Sequence, residues 1–306
     1  MLPFRLVYHP RYDLNLGEHV FPARKYRLIR AALVDEGFAG PADFVEPQPV
    51  SDDDVLRVHD SGWVHRLKSG TLSPEEILKL EIPYSREMVE GFCLAAGGTI
   101  LAAHNALRDR VGFNIGGGFH HGFADHGEGF CAINDIAIAI RALQHDRLIE
   151  KALVIDCDVH HGNGTAAIFQ GDPSVLTLSL HQFNNYPAVK PPSVIDVDLA
   201  DGVDDDEYLE RLRGALHVAM SFRPDLAIYV AGADPYFDDQ LGGLALTMDG
   251  LQRRDQMVFE TALAASVPVA VVLAGGYARD TNDTVAIHCN TARAAREALV
   301  PQSKQR

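Results

Sequence analysis

The chain has 306 residues, of which 47% are hydrophobic and 23% are charged, with 27 lysines and arginines against 42 aspartates and glutamates. The net charge of −15 opposes non-specific binding to nucleic acids, and no basic patch in the sequence offsets it. The same charge favours cationic ligands such as lysine-bearing peptides or polyamines. Because no composition shift, linker or repeat divides the chain, we predict a single domain over residues 1–306.

The sequence also bears on the cellular compartment. Its start, MLPFRLVYHPRYDL, lacks the charged and apolar regions of a signal peptide, and no apolar run reaches membrane-spanning length. Four widely spaced cysteines form no C-x-x-C pair, as expected for free thiols in a reducing compartment: Cys93, Cys131, Cys157 and Cys289. We therefore expect a soluble, cytoplasmic protein that binds neither membranes nor nucleic acids.

In chain order, the apolar residues of the first half alternate between strand and helix periods. They predict strands over 5–8, 43–46 and 111–115. They predict helices over 22–36, through Leu56 and again through Leu67 after the N-caps Ser51 and Asp52, over 85–107 and over 130–143. The pair Gly97-Gly98 within the long helix indicates close packing against another part of the chain.

The second half continues the alternation of strands and helices. Strands are predicted over 151–155, 175–180, 194–199, 226–231 and 267–274. Helices are predicted from 163, and over 206–220, 249–265 and 281–299. Strands that alternate with helices form a parallel sheet covered on both faces, and ligands bind such sheets at the carboxyl ends of the strands. We therefore expect the functional residues to follow the strands.

The stretch VIDCDVHHGN, residues 154–163, carries the strongest functional signal. Asp156, Asp158 and His160 follow at spacing two, and the period of a strand would direct all three side chains to one side. Such a set is costly to bury without a cation, and carboxylates with an imidazole suit Zn²⁺, Fe²⁺, Co²⁺ or Mn²⁺. The alternative is that these are ordinary polar residues of a cap and a loop.

Three further motifs follow predicted strands and so fall on the same edge of the sheet. GGGFHH brings His120 and His121 there, which suits general acid–base chemistry. AGADP adds Asp234 as a third protein ligand for a metal. LAGGY presents Tyr277, whose phenol can donate to a developing oxyanion, although a tyrosine that simply packs at this edge would give the same pattern.

The segment GNGTAA, residues 162–167, also matches the G-x-G-x-x-A dinucleotide-binding fingerprint. We reject this alternative because the next strand ends in Ser-Leu-His at 179–181, where the fingerprint needs an acidic residue to hold the ribose. It would also leave the nearby acids and histidines without a role. The motifs H-E-x-x-H, G-x-S-x-G and G-K-[ST] do not occur in the sequence.

Together these motifs resemble the zinc-dependent histone deacetylase family, which has the arginase/deacetylase fold. The segments that carry the resemblance cover nearly the whole chain in the family's order: GGGFHH, GEGFCAINDIAIAI, VIDCDVHHGNGT, TLSLHQ, AGADPY, DQLGGLALT and LAGGY. The GGGFHH form, Asn163 and QLGGL are more similar to the class IV branch and its bacterial relatives than to class I. The resemblance implies an α/β fold: a single-domain, three-layer α/β/α structure with an eight-stranded, mainly parallel sheet.

The resemblance also implies roles for individual residues. The ligands of Zn²⁺, or of Fe²⁺ or Co²⁺ in the cell, would be Asp158, His160 and Asp234. The catalytic groups would be His120, His121, Tyr277, Asp156 behind His120, and Asn163 where many members have a second acid. The acyl-lysine channel would be lined by Gly129, Phe130, Tyr186, Gly275 and Gly276. A structural K⁺ would be held by the Ser179 hydroxyl and by main-chain carbonyls of Asp156, Asp158, His160 and Leu180.

The implied reaction removes acetyl or longer acyl groups from the ε-amine of lysine in proteins or peptides. A metal would polarise the amide and activate water, an imidazole would accept a proton, and Tyr277 would stabilise the oxyanion. A small acylated amine such as an acetylpolyamine is the main alternative substrate. An arginase-like reaction would need a second metal, for which Pro235-Tyr236 after Asp234 offer no ligand. A catalytically inactive acyl-lysine-binding module is opposed by the intact set of candidate catalytic residues.

Overall fold

A parallel β-sheet runs through the centre of the computed structural model, which describes residues 1–300. Within this range the sheet has eight strands: β1 (Arg5–Val7), β2 (Phe44–Val45), β3 (Val111–Asn114), β4 (Ala152–Asp156), β5 (Val175–Gln182), β6 (Ile195–Leu199), β7 (Leu226–Val230) and β8 (Val269–Val272). They lie in the order β2-β1-β3-β8-β7-β4-β5-β6. Every neighbouring pair is parallel, so the predicted α/β fold with a mainly parallel sheet is confirmed.

Helices surround this sheet and connect its strands. The described residues form α1 (Lys25–Asp35), α2 (Asp52–Leu56), α3 (Ser61–Ser69), α4 (Pro74–Leu80), α5 (Arg86–Asp109), α6 (Asp135–His145), α7 (Asn163–Ile168), α8 (Asp205–Met220), α9 (Met248–Ala264) and α10 (Thr281–Leu299). No helix within residues 1–300 has the length and apolar character needed to cross a membrane.

The central strands are buried on both faces, which explains their continuous apolar sequences. In β4, Leu153 and Ile155 belong to one hydrophobic cluster, whereas Ala152 and Val154 belong to another. Since neighbouring side chains of a strand point to opposite faces, the two clusters are the cores on the two sides of the sheet.

Two helices differ from the sequence prediction. The helix predicted over 130–143 begins five residues later, because Phe130 has a φ of +67° and Asn134 accepts a hydrogen bond from the amide of Ala137 at 2.9 Å as the N-cap. Helix α4 was not predicted, although Ser73 and Glu76 form a capping box at its start. Both errors concern local capping, which an apolar pattern does not report.

Candidate active site

Four adjacent strands place the predicted functional residues together. β3, β8, β7 and β4 are neighbours in the sheet, and their carboxyl ends point the same way. The chain leaves β3 toward His120 and His121, β4 toward Asp158 and His160, β7 toward Asp234, and β8 toward Tyr277. The sheet order therefore assembles one site from four segments that are distant in sequence.

A compact group of buried ligand-type side chains lies at the centre of this site. Each of three residues offers one ligand atom, and these atoms lie within 4.8 Å of one another: Asp158, His160 and Asp234. Nδ1 of His160 is 3.0 Å from Oδ1 of Asp158 and 3.4 Å from Oδ2 of Asp234. The three side chains are almost fully buried, so their charges are poorly solvated.

These residues fit a divalent cation. Oδ2 of Asp234 is buried and has no hydrogen-bond partner among the described residues, so one acceptor in the group is left free. Burial, together with the adjacent Asp158 carboxylate, raises the pKa of Asp234 to about 7, which shows the cost of holding two carboxylates together without a cation. Two carboxylates and one imidazole are suitable ligands for Zn²⁺ and for other divalent transition metals.

The predicted orientation of Asp156, Asp158 and His160 by the period of a strand is only partly correct. Strand β4 ends at Asp156, so the strand period cannot orient Asp158 and His160. Hydrogen bonds from backbone amides to carboxylates orient them instead. Oδ1 of Asp156 accepts from the amide of Asp158 at 3.1 Å, and Oδ1 of Asp158 accepts from the amide of His160 at 3.0 Å. Oδ2 of Asp158 also accepts from the amide of Gly275 at 2.8 Å. The carboxylates thus hold the loop in place.

The adjacent histidines have different partners. His120 contacts the carboxylate of Asp156, with Nδ1 2.7 Å from Oδ2. His121 contacts the amide of Asn163, with Nδ1 2.6 Å from Oδ1. When each Nδ1 donates to its oxygen, each Nε2 is left facing away from that partner. A carboxylate therefore supports one ring and a neutral amide supports the other.

These partners separate the proton affinities of the two rings. Burial opposes the charged form of His120, but Asp156 and Asp158 outweigh it and raise the pKa of His120 to about 9. Burial and the neighbouring charges of His120 and His160 hold the pKa of His121 well below its ordinary value. His120 therefore favours its protonated form and His121 its neutral form, with a free nitrogen that can accept a proton.

Glu128 is a further member of the site that the sequence analysis did not identify. Its Oε1 accepts a short hydrogen bond from Nδ2 of Asn163 and one from the Tyr186 hydroxyl at 3.0 Å. By accepting from the amide nitrogen, Glu128 turns the amide oxygen of Asn163 toward His121. The segment GEGF contained a signal for this role, since Glu128 is an acid next to two predicted channel residues.

Tyr277 is held by its backbone and keeps its phenolic proton. Its amide donates to Oδ2 of Asp239 at 2.6 Å, a contact that the sequence analysis did not assign. Burial and the carboxylates of Asp158 and Asp234 raise the pKa of Tyr277 well above its ordinary value. The phenol is therefore a hydrogen-bond donor at every physiological pH.

An open cavity of about 330 Å³ leads to His121, His160 and Tyr277. Its lining includes Gly129, Phe130 and Tyr186, at the positions predicted for the channel wall. Gly275 lines a smaller cavity of about 20 Å³ that shares His121, Phe130 and Tyr277 with this one, and the role of Gly275 and Gly276 in the channel stays a prediction. Gly275 lies beneath the metal-type cluster, where a Cβ would come within 1.9 Å of Oδ2 of Asp234. Its lack of a side chain makes room for the carboxylates.

The predicted K⁺ site lies beside this cluster. Strand register pairs Asp156 with Ser179, which brings two of the proposed ligand residues side by side. The Ser179 hydroxyl is 3.0 Å from Nδ1 of His181. Binding of K⁺ by Asp156, Asp158, His160, Ser179 and Leu180 stays a prediction.

Two buried cationic side chains donate hydrogen bonds to main-chain carbonyls near the site, and the sequence did not predict either contact. Lys25 donates from Nζ to the carbonyl of Ala274 at 2.6 Å, and burial lowers its pKa to about 8, against the opposing effect of the nearby acids. Nη1 of Arg254 donates to the carbonyl of Gly232 at 2.6 Å, and its Nη2 is 2.8 Å from Oδ1 of Asp255. Neither residue lies in a motif that predicts such a contact.

The fold is the α/β arginase/deacetylase fold, with a cluster of metal-type ligands at the carboxyl ends of its strands. A family model described as histone deacetylase domain matches residues 19–292. The chain therefore belongs to the histone deacetylase family.

Individual relatives agree with this assignment. The chain is 42% identical to an uncharacterised protein of Picosynechococcus sp. over 96% of this chain and 99% of the relative. It is 33% identical to histone deacetylase 2 of Arabidopsis thaliana, over 92% of this chain and 76% of the relative. The crystal structure of the HDA15 HD domain superimposes with a TM-score of 0.81 at 26% identity, covering 96% of this chain and 88% of that one.

Proposed function

We propose that the protein is a metal-dependent amidohydrolase that removes acyl groups from the ε-amine of lysine in proteins or peptides. One observation carries the proposal: His120 and His121 lie next to the Asp158–His160–Asp234 cluster and an aromatic-lined cavity, with a carboxylate behind the first ring and a neutral amide behind the second. A metal site and an acid–base histidine pair are the groups needed to hydrolyse an amide.

Asp158, His160 and Asp234 would hold the metal. A bound Zn²⁺ would polarise the amide carbonyl and lower the pKa of a water molecule. His121, neutral and fixed by Asn163, accepts the proton of the attacking water at Nε2. The cationic His120 stabilises the negative charge that develops, and the Tyr277 hydroxyl donates to the oxyanion. The departing amine then takes a proton from a histidine.

The cavity favours a long, thin acyl-amine substrate. Phe130 and Tyr186 lie in its wall, and their rings can pack against the methylene groups of a lysine side chain. The net charge of −15 favours the approach of basic peptides to the protein.

An acylated polyamine is a second candidate substrate, supported by Glu81. This residue lines the cavity, where partial burial of its carboxyl group and the nearby Glu128 raise its pKa. A carboxylate at this position could pair with a second ammonium group, which a polyamine has and an isolated acyl-lysine side chain lacks.

The deciding experiment compares kcat/KM of the metal-reconstituted protein on lysine peptides that bear acetyl to long fatty acyl groups and on acetylated polyamines. We expect higher kcat/KM on the peptides. Turnover of the polyamines alone would establish the second candidate. No turnover of either class by metal-loaded protein would refute the amidohydrolase proposal.

Two sets of variants complete this experiment. Asp158→Ala should lose the active-site equivalent of metal and turnover, because two remaining ligands hold a catalytic ion poorly. Glu81→Gln should lower kcat/KM for polyamines more than for peptides if Glu81 binds an ammonium group. Glu75→Gln, at an exposed position in α4, is the matched control.

A further inference from the structure

A second group of side chains of the kind that bind metals lies beside the loop between β4 and α7. His161 follows the predicted ligand His160, and His181 lies in β5. Both side chains are almost completely buried, at 0% and 1% exposed. Their rings lie edge to face with centroids 4.6 Å apart, so two imidazoles share one small space.

Strand β6 supplies carboxylates to this space. Asp196 and Asp198 are two residues apart in the strand and therefore lie on one face of it. Oδ1 of Asp196 is 3.3 Å from Nε2 of His161, and Oδ1 of Asp198 is 3.1 Å from Nε2 of His181. One ligand atom each from His161, His181 and Asp196 all lie within 4.8 Å of one another.

The ring nitrogens of both histidines are buried, and one nitrogen of each ring has no hydrogen-bond partner among residues 1–300. Nδ1 of His181 contacts the Ser179 hydroxyl at 3.0 Å, which leaves Nε2 directed at the carboxylates. That Nε2 has no hydrogen-bond partner among residues 1–300, despite its short distance to Asp198. A buried imidazole nitrogen without a partner is costly unless another group satisfies it.

We propose that His161, His181 and Asp196 bind a second divalent transition-metal ion, with Zn²⁺ as the ion best suited to them. Two imidazoles and a carboxylate are a common ligand set for Zn²⁺. The 3.3 Å between Nε2 of His161 and Oδ1 of Asp196 matches the ligand–ligand distance of a tetrahedral site with bonds of about 2.0–2.1 Å. Asp198 or water completes the coordination.

An ion can reach this site from the surface. Asp196 and Asp198 line an open groove of about 980 Å³, together with Asp206, Glu207 and Glu210. These acids attract cations to the groove. Bound there, the ion joins the edge strand β6 to the loop that carries the catalytic ligands, so its role is structural.

The competing explanation is an ion pair between a protonated His161 and Asp196, with no metal. Metal counting separates the two explanations. The full-length, tag-free Asp234→Ala protein should lose the active-site ion, and after chelation and reconstitution it should still hold one equivalent of Zn²⁺. Asp234→Ala/Asp196→Ala should hold none. Asp206→Asn in the same background is the control, since Asp206 lines the groove outside the ligand group.

Direct spectroscopy provides a second readout. Co²⁺ added to Asp234→Ala should give the visible absorption of a tetrahedral site with nitrogen and oxygen ligands. The additional substitution Asp196→Ala should abolish this absorption. If Asp234→Ala does not fold, the wild-type protein should bind two equivalents and Asp196→Ala one. Absence of the second equivalent, or its retention in a folded Asp196→Ala protein, would show that the cluster is only an ion pair.

Discussion

The phenol of Tyr277 donates a hydrogen bond but does not ionise, because burial and two nearby carboxylates hold its pKa high. Tyr277→Phe removes this donor and leaves the ring in place. We expect kcat to fall roughly 10²- to 10³-fold, as for other oxyanion-hole donors, with metal content unchanged.

Tyr186→Phe is the control for this substitution. Its hydroxyl donates to Glu128, so its loss should change kcat much less. Steady-state kinetics and metal analysis of both variants test the assignment. An unchanged kcat in Tyr277→Phe would remove Tyr277 from the mechanism.

Asn163 accepts the hydrogen bond of His121, whose pKa burial and the charges of His120 and His160 hold low, and the contact of Asn163 with Glu128 determines how the role of His121 can be tested. Asn163→Asp alone would place two carboxylates against each other. The double variant Asn163→Asp/Glu128→Gln keeps the net charge and moves the carboxylate next to His121. An adjacent negative charge raises the pKa of a histidine, so the acidic limb of the kcat/KM profile should move to higher pH.

Glu128→Gln alone controls for the loss of the original carboxylate. It places no charge on the His121 side of Asn163, so its acidic limb should not move upward. Identical acidic limbs in the wild type and the double variant would show that His121 is not the base reported by the profile.

Among the elements, helix α5 depends on glycine where it meets the segment before α2. A Cβ on Gly97 would lie 1.9 Å from the carbonyl oxygen of Gln48, and one on Gly98 would lie 2.0 Å from the Tyr12 hydroxyl. The close packing predicted for this glycine pair is confirmed. Gly97→Ala should therefore lower the free energy of unfolding by about 1–3 kcal/mol, the usual cost of overpacking.

Gly214→Ala is the matched control in a helix. It lies in α8, and a Cβ there would meet no atom within 4 Å. Alanine should raise the free energy of unfolding by about 0.5–1 kcal/mol, because glycine loses more backbone entropy in a helix. Denaturant titration with equal m-values measures both changes, and a Gly97→Ala protein as stable as the wild type would contradict the packing argument.

For the whole molecule, stability should fall in acid partly because of His59. This side chain is 2% exposed, and its Nε2 accepts from the amide of Asn134 at 3.0 Å. Burial lowers its pKa from 6.5 to about 4. Between these values the unfolded chain binds the proton more readily, so stability is complete above about pH 6.5 and is lost as the pH falls toward 4.

The lost stability should be about 3.5 kcal/mol, at about 1.4 kcal/mol for each pH unit of the shift. Free energies of unfolding at several pH values between 4 and 7 would measure it. His59→Gln should flatten the dependence in this window, whereas His65→Gln, at an exposed position, should leave it unchanged. Equal slopes in the wild type and His59→Gln would contradict the assignment.

The sequence by itself determined the type and approximate position of the eight strands within residues 1–300. The central strands are buried on both faces and need continuous apolar runs, whereas the edge strand β6 alternates apolar and acidic residues. It also predicted that ligand-type residues gather at the carboxyl ends of the strands. Asp158, His160, Asp234 and the histidine pair stand in short motifs directly after strands, so their signal is local.

Only the tertiary structure decided which distant residues touch. The orientation of Asn163 depends on Glu128, 35 residues earlier in the chain, and the carbonyl of Ala274 on Lys25, 249 residues earlier. The cluster of His161, His181 and Asp196 depends on the pairing of β5 with β6. Such contacts follow from strand order and register, which are set by burial over the whole chain and leave no periodic signal in any one segment.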